Sequence, residues 1–226
     1  MLTYNLLKNH AGVLLCGDYT SLDALLNVVH EINEASPIIT DKEGTFLGLA
    51  YDARKACSGQ RRIIKPPKEF KEIGVRYGVE IFWPVLLVQC RMLRVALGFF
   101  NNTKRQQAIT YSMESVIEAA LHDDFGGKAP LLIEHWMRID PAHPWAEEKL
   151  HSRVAQFCIW TKKERNEKFI GLLASLDPLY PFLYEHWSNQ DDNAIDLAHR
   201  HYHRSNLVSP EDLDSLDGTE WVDCEW

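Results

Sequence analysis

The segment from residue 84 to about residue 99 carries apolar side chains on nearly every side, and no other feature constrains the fold as strongly. Pro84 suits the first turn of a helix, where its missing N–H leaves no intrahelical bond unmade. Gln89, Arg91 and Arg94 are the polar exceptions in this segment. A helix that is apolar all round must be covered by other elements, so we expect it at the centre of a domain.

The first residues of the chain predict a β-hairpin. Leu2, Tyr4 and Leu6 alternate with other side chains, residues 9–12 have turn chemistry, and residues 13–16 suit the returning strand. Residues 75–83 are rich in β-branched and aromatic side chains and predict one further strand.

Helical spacing of apolar residues, together with capping residues, predicts most of the remaining chain to be helical. The expected helices cover residues 21–34, 43–57, 85–99, about 104–125, 129–137, 144–161, 164–176, a short segment ending near 187, and 192–203. Residues 60–71, which include Pro66 and Pro67, are expected to form an exposed loop. The fold class is therefore α+β and mostly α-helical, with an N-terminal β-hairpin plus one further strand packed on a multi-helix body.

Length and composition suggest one globular domain over residues 1–208, followed by an acidic tail over residues 209–226. Residues 130–140 and 181–191 share six identities in eleven positions. These segments are either a true helical repeat or two helices that each begin with proline and bury leucine and tryptophan. The sequence alone leaves both interpretations open.

Charge is distributed unevenly along a chain whose net charge is −8. Residues 54–71 have a local charge of +6, with seven cationic side chains and Glu69 as the only acid: Arg54, Lys55, Arg61, Arg62, Lys65, Lys68 and Lys71. This stretch is either a solvated connection or a contact loop, and a phosphate backbone is one ligand that such a loop could bind. We name Arg54, Lys55, Arg61, Arg62 and Lys65 as its candidate contact residues.

The tail over residues 209–226 has seven acids and no lysine or arginine. It also carries Trp221 and Trp226, which a purely solvated tail has no reason to expose. The tail could fold back on the basic loop of its own chain, dock on a partner, mimic a nucleic acid, or simply solubilise the protein. For docking, the candidate partner-binding residues are Trp221, Trp226, Asp214, Asp217 and Glu220.

A histidine-rich segment gives the main alternative, a metal site. On a helix, Asp196, His199 and His203 share one face, and this set of side chains suits zinc, iron or manganese. A water bound to such a metal becomes a nucleophile because its pKa falls. The alternative interpretation of this segment is a solvated surface helix that binds no metal. No cofactor is otherwise indicated, and a divalent metal is the one that this cluster would hold.

The motifs of the common enzyme classes are absent from the sequence. There is no G-x-S-x-G elbow, no Walker loop and no H-E-x-x-H helix. The five cysteines are scattered and never form C-x-x-C, which is typical of proteins in a reducing compartment. The longest apolar run, residues 81–88, is far shorter than the roughly 20 residues that span a bilayer, so we expect no membrane contact.

Several short segments within roughly the first 120 residues carry a resemblance: residues 8–12 (KNHAG), 17–19 (GDY), 41–44 (DKEG), 47–52 (LGLAYD), 83–84 (WP), 87–89 (LVQ) and 93–94 (LR). In these segments the chain resembles a family of uncharacterised bacterial proteins of unknown function. The resemblance implies a bacterial, cytosolic setting and supplies no catalytic residue.

Together these observations predict a bacterial cytoplasmic interaction or accessory protein that acts through protein–protein contacts. Its partner would be another protein or a second copy of the chain, and nucleic acid could bind through residues 54–71. The alternative function is a metal-dependent hydrolase or nuclease using Asp196, His199 and His203. Whether the protein is an enzyme stays open, with the lack of a catalytic motif favouring a non-enzyme.

Overall fold

In the computed structural model, residues 1–189 and 207–218 are described. The backbone groups into two compact units. Unit 1 comprises residues 1–7 and 12–120, and unit 2 comprises residues 8–11 and those from 121 onward. The single domain over residues 1–208 stays a prediction, because two compact units can also be parts of one domain.

The described residues form a mostly helical α+β fold, as the sequence predicts. The strands are β1 (Thr3–Leu6), β2 (Gly12–Gly17), β3 (Arg62–Ile64) and β4 (Arg76–Phe82). The helices are α1 (Tyr19–Ala35), α2 (Thr45–Cys57), α3 (Trp83–Ala96), α4 (Lys104–Phe125), α5 (Ala129–Arg138), α6 (Trp145–Ile159), α7 (Lys162–Ala174), α8 (Tyr180–Ser188) and α9 (Pro210–Asp214). Short 3₁₀ turns occupy Lys8–His10, Lys71–Ile73, Leu97–Phe99 and Gly126–Lys128.

Unit 1 contains a four-stranded antiparallel sheet in the order β1-β2-β4-β3. The predicted hairpin is formed by β1 and β2, and Leu6 lies opposite Val13. Strand β2 also pairs with β4, so Leu15 lies opposite Val79. Val13, Leu15 and Cys16 on β2 are nearly completely buried, and Leu14 is half-buried.

Helix α3 is buried on nearly every side, as its all-round apolar sequence predicts. Trp83, Leu86 and Leu93 are fully buried. The polar exception Gln89 is also buried, and its amide nitrogen donates a hydrogen bond to the Thr45 carbonyl at 2.9 Å. A buried amide with a backbone acceptor is tolerated in an apolar core, so Gln89 joins α3 to the first turn of α2.

Unit 2 is built around aromatic side chains. The Phe169 ring stacks on Phe125, with ring centroids 5.4 Å apart, and is tilted against Phe157, with ring centroids 5.2 Å apart. The buried Arg165 caps the end of α6, where its guanidinium donates to the Phe157 carbonyl at 2.9 Å and the Cys158 carbonyl at 2.8 Å. These carbonyls lack intrahelical partners and lie at the negative end of the helix dipole, so a cation is stabilised there.

Residues 8–11 belong to unit 2, and contacts within that unit fix their backbone. Asn9 and His10 both adopt left-handed backbone conformations, with φ of 59° and 55°. The His10 ring stacks on Phe125, and its Nδ1 lies 2.8 Å from Asp124 Oδ1. Arg165 donates to the Asn9 carbonyl at 3.3 Å. Residues of the KNHAG segment therefore have a structural explanation: they form a turn whose strained backbone is fixed by side-chain contacts.

Two local features differ from the sequence-based expectation. Residues 62–64, expected within a loop, form strand β3 at the edge of the sheet. So short an edge strand needs only backbone pairing and leaves no alternating pattern in the sequence. Helix α1 begins at Tyr19, earlier than the expected residue 21, because Asp18 is its N-cap and accepts from the Ser21 amide at 2.8 Å.

The structure also bears on the sequence repeat and on the expectation of no membrane contact. Helices α5 and α8 each carry proline in their first turn, as both interpretations of the repeat expect, and Asp191 lies outside the described residues. Within residues 1–189 and 207–218, no helix combines the length and the apolar character that a membrane crossing needs.

Gly12 provides a test of the sheet geometry. A Cβ atom at this position would lie 2.0 Å from the Ile81 carbonyl oxygen, and this backbone atom cannot move without breaking the β2–β4 pairing. We expect Gly12→Ala to lower the free energy of unfolding by at least about 2 kcal/mol. Urea titration followed by circular dichroism measures this change.

The matched control for that experiment is Gly98→Ala. A Cβ there would meet no atom within 4 Å, so the change should stay within about 0.5 kcal/mol. Equal effects of the two substitutions would show that the close approach of β4 to Gly12 is wrong.

Candidate functional site

The basic edge of unit 1, which we define as residues 54–76, is the first candidate surface. It includes the end of α2, strand β3, a loop with two prolines, a 3₁₀ turn and the start of β4. Strand β3 pairs with β4 on one side and is last in the strand order. Among the described residues, the other side of its backbone therefore has no strand neighbour.

Several cations of the basic edge have partners within unit 1. Arg61 lies 3.6 Å from Asp52, and Arg62 lies 3.1 Å from Glu80. Arg54 and Lys55 lie over the ring of Tyr51, 5.3 and 5.2 Å from its centroid. Burial raises the pKa of Asp52, while the charge of Arg61 opposes that rise. These contacts orient the start of the basic edge but are of the exposed kind that adds little stability.

The centre of the basic edge combines free lysines with exposed apolar side chains. Lys65, Lys68 and Lys71 are exposed, and within the part of the chain that the structure describes none has an acidic partner. Four large apolar side chains in the same stretch are 44–55% exposed: Ile63, Phe70, Ile73 and Val75. Such a mixture of charge and exposed apolar surface is typical of a contact surface.

The second candidate surface involves the C-terminal strap, which we define as residues 207–218. Its start is held by the buried Tyr180, whose hydroxyl donates to the Val208 carbonyl at 2.8 Å and accepts from the Val208 amide at 3.1 Å. Leu213, on helix α9, is fully buried. Burial raises the pKa of Tyr180, so its hydroxyl keeps the proton that this pair of hydrogen bonds requires.

The acids of the strap meet two cations on α6. Arg153 Nη1 lies 2.7 Å from Asp214 Oδ1, and Lys149 Nζ lies 3.1 Å from the same oxygen. Lys149 also lies 2.5 Å from Asp217 Oδ2 and 5.3 Å from the centroid of the Trp145 ring. We call Trp145, Lys149, Arg153 and Tyr180 the strap seat.

The contacts between the strap and its seat shift the pKa values of two partners. Hydrogen bonding to Asp217 raises the pKa of Lys149 above its ordinary value. Burial alone would raise the pKa of Asp217, but hydrogen bonds from Lys149 and Ser152 outweigh it, so that pKa is lowered. Both shifts favour the charged forms, as an ion pair requires.

The sequence-predicted site residues divide into described and undescribed ones. Asp214 and Asp217 contact Lys149 and Arg153 of their own unit, and their binding to a partner stays a prediction. The remaining candidates lie outside the described residues: Glu220, Trp221 and Trp226 of the tail, and Asp196, His199 and His203 of the metal cluster. Within residues 1–189 and 207–218, no group of three or more metal-ligating side chains could hold an ion.

Sequence reasoning missed the strap seat. Lys149 and Arg153 are four positions apart on a predicted helix and so share a face, but nothing in one sequence pairs them with acids more than 60 positions later. Tyr180 precedes a predicted helix and carries no distinguishing pattern. One signal for this site was available in the sequence. Arg153 lies on a predicted helix that also had to bury apolar residues, and an arginine on such a helix needs hydrogen-bond acceptors nearby.

Comparisons with known proteins give one match. A family model described as a domain of unknown function (DUF6904) matches residues 2–203. No curated protein matches the chain, and no solved structure matches it.

Tyr180 tests how the strap is held. We expect Tyr180→Phe to lower the free energy of strap opening by about 1–2 kcal/mol, because both hydrogen bonds to Val208 are lost in a buried place. Hydrogen exchange of the Leu213 amide, which donates to the Ser209 carbonyl, measures this opening. Tyr184→Phe is the control, and an equally fast exchange in that variant would contradict the assignment.

The docking of the strap should also depend on pH. The pKa of Asp217 is lowered from 3.8, so its contribution is complete above that value and is lost as pH falls through the lower docked pKa. The pKa of Lys149 is raised from 10.5, so its contribution is complete below 10.5 and is lost at higher pH. We therefore expect the Leu213 NMR signals to be constant from about pH 5 to 9 and to shift only as pH falls below 3.8. In Asp217→Asn this acid step should shrink.

Proposed function

We propose that this chain, which belongs to the DUF6904 family of domains of unknown function, is an accessory protein that binds an acidic segment of another protein at its basic edge. The observation that carries the proposal is the mixture of unpaired lysines and exposed apolar side chains in residues 63–75. A solvated connection would need the charges but would gain nothing from four exposed large apolar side chains.

The open side of β3 supports an extended partner. Backbone N–H and C=O groups at a sheet edge can pair with an added strand, which is a common mode of peptide recognition. Strand β3 is only three residues long, so this pairing would fix register rather than supply most of the affinity. Lys65, Lys68 and Lys71 follow β3 along the chain and would attract the acids of such a segment.

The apolar side chains favour a protein partner over a nucleic acid. A phosphate backbone is bound by cations and other hydrogen-bond donors, and the bases of a single strand are bound largely by stacking on flat side chains. Phe70 is the one flat ring among the four exposed apolar side chains, whereas Ile63, Ile73 and Val75 are aliphatic and would be covered by apolar side chains of a peptide rather than by stacked bases. The proposed partner is therefore an acidic protein segment that also carries apolar residues.

The proposed setting is the cytoplasm of a bacterium. The four described cysteines, Cys16, Cys57, Cys90 and Cys158, are all free thiols, which suits a reducing compartment. The bacterial origin rests on the sequence resemblance, and a basic surface on an acidic protein suits selective binding in a crowded cytosol.

The test uses the full chain and two labelled probes in fluorescence anisotropy. One probe is a 12-residue peptide that alternates acidic and aliphatic residues, and the other is a 20-nucleotide single-stranded RNA. We expect the triple substitution Lys65→Glu/Lys68→Glu/Lys71→Glu to weaken peptide binding at least tenfold, because three attractions become repulsions. Ile63→Ser/Ile73→Ser should weaken it about fivefold, because apolar contact is lost.

The control is Lys162→Glu/Lys163→Glu, two exposed lysines of α7 whose reversal should leave peptide binding within twofold of wild type. Tighter binding of the RNA than of the peptide, unchanged by Ile63→Ser/Ile73→Ser, would overturn the proposal in favour of nucleic acid. Absence of peptide binding by the wild-type chain would also overturn it.

A further inference from the structure

We infer that the strap seat is a binding site for acidic helical peptides and that the C-terminal strap is its removable internal occupant. This site lies in unit 2, shares no residue with the basic edge and does not depend on the proposed function. The ligand class is a short peptide with two carboxylates three positions apart and an apolar residue just before the first of them.

The buried guanidinium of Arg153 is the centre of this site. Its side chain is 1% exposed, and it contacts Ser175 Oγ at 3.1 Å, Ser152 Oγ at 3.0 Å and Asp214 Oδ1 at 2.7 Å. Of these three acceptors, the Asp214 carboxylate alone carries charge. A cation removed from water needs a negative partner, so the seat demands a carboxylate at this position.

The seat is held in shape by contacts that do not involve the strap. Ser175 Oγ donates to the Leu172 carbonyl at 2.6 Å, and the Trp145 indole nitrogen donates to the Ser175 carbonyl at 3.1 Å. Arg153 is thereby aimed by Ser175, and Lys149 lies against the Trp145 ring. A preorganised cation pair of this kind is what a peptide-binding site needs, because little further ordering is required on binding.

The contacts of the strap indicate which features of a peptide the strap seat would bind. Asp214 and Asp217 are three positions apart and both reach Lys149, while Leu213 is fully buried beside them. The Tyr180 hydroxyl hydrogen-bonds to both the carbonyl and the amide of Val208. The backbone of the strap is therefore fixed five positions before the buried Leu213. Free phosphate or a nucleic acid would satisfy the cations but would leave the place of Leu213 empty.

The strap is also held weakly enough to leave. Helix α9 has five residues, far fewer than an isolated helix needs to be stable. The side chains of Asp214 and Asp217 are 42% and 43% exposed, so water reaches these carboxylates and can replace their contacts when the strap opens. A peptide with the same pattern would replace every one of these contacts, including the burial of Leu213.

The experiment uses full-length protein and a fluorescein-labelled synthetic peptide of residues 207–218, LVSPEDLDSLDG. In Asp214→Lys/Asp217→Lys the chain's own strap is repelled by Lys149 and Arg153, so the seat becomes free. We expect this variant to bind the peptide at least tenfold more tightly than wild type does. Adding Lys149→Glu should remove the gain, whereas Lys65→Glu/Lys68→Glu/Lys71→Glu on the basic edge should not.

The matched control is Glu211→Lys/Asp212→Lys, which changes the charge of the strap equally at two exposed acids without an ion pair among the described residues. This control should bind the peptide as weakly as wild type does. Asp214→Asn/Asp217→Asn, a milder change, should give a smaller gain in the same direction and serves if the lysine variant does not fold.

Three results would overturn the inference. Equal peptide affinity of wild type and the folded strap variants would show that the strap does not occupy the peptide site. Retained binding after Lys149→Glu would place the peptide elsewhere, and inorganic phosphate competing as well as unlabelled peptide would reduce the seat to a simple anion site.

Discussion

The desolvated guanidinium of Arg153 governs the described part of unit 2 that follows α7. A buried cation without a counter-charge is unstable by several kcal/mol, so the chain must supply a carboxylate or leave α6 unable to bury its inner face. Asp214 supplies that carboxylate, and the strap is fixed by this requirement. The buried guanidinium of Arg165 is stabilised in a different way, because the carbonyls at the end of α6 accept its hydrogen bonds. Two arginines thus order one helix at its middle and at its end.

Patterns that repeat along the chain were predictable, and contacts between distant residues were not. The hairpin and the buried helix α3 follow from alternation and from all-round apolar character, and both are confirmed. Strand β3 escaped prediction because three edge residues carry no periodicity. The charge of the basic edge and the exposure of residues 60–71 were predictable from the sequence, whereas the exposure of Ile73 was not, because it lies beyond that expected loop.

The acids of the C-terminal strap also show that contacts between distant residues could not be predicted. Its acids were recognised as contact residues, yet their cationic partners lie more than 60 positions earlier in the chain. One sequence contains no information about which of several lysines and arginines an acid will meet. The strap therefore carries acids whose cationic partners lie within its own unit.

The open outer strand of the sheet has a further consequence for the behaviour of the protein in concentrated solution. Unprotected sheet edges can add strands from identical molecules and grow into fibrils. Here β3 is short, is surrounded by Arg61, Arg62 and Lys65, and is followed closely by two prolines. Two copies would repel each other at this edge, and proline would stop any longer ladder. Cations suited to holding an acidic strand thus act as gatekeepers against amyloid-like self-assembly.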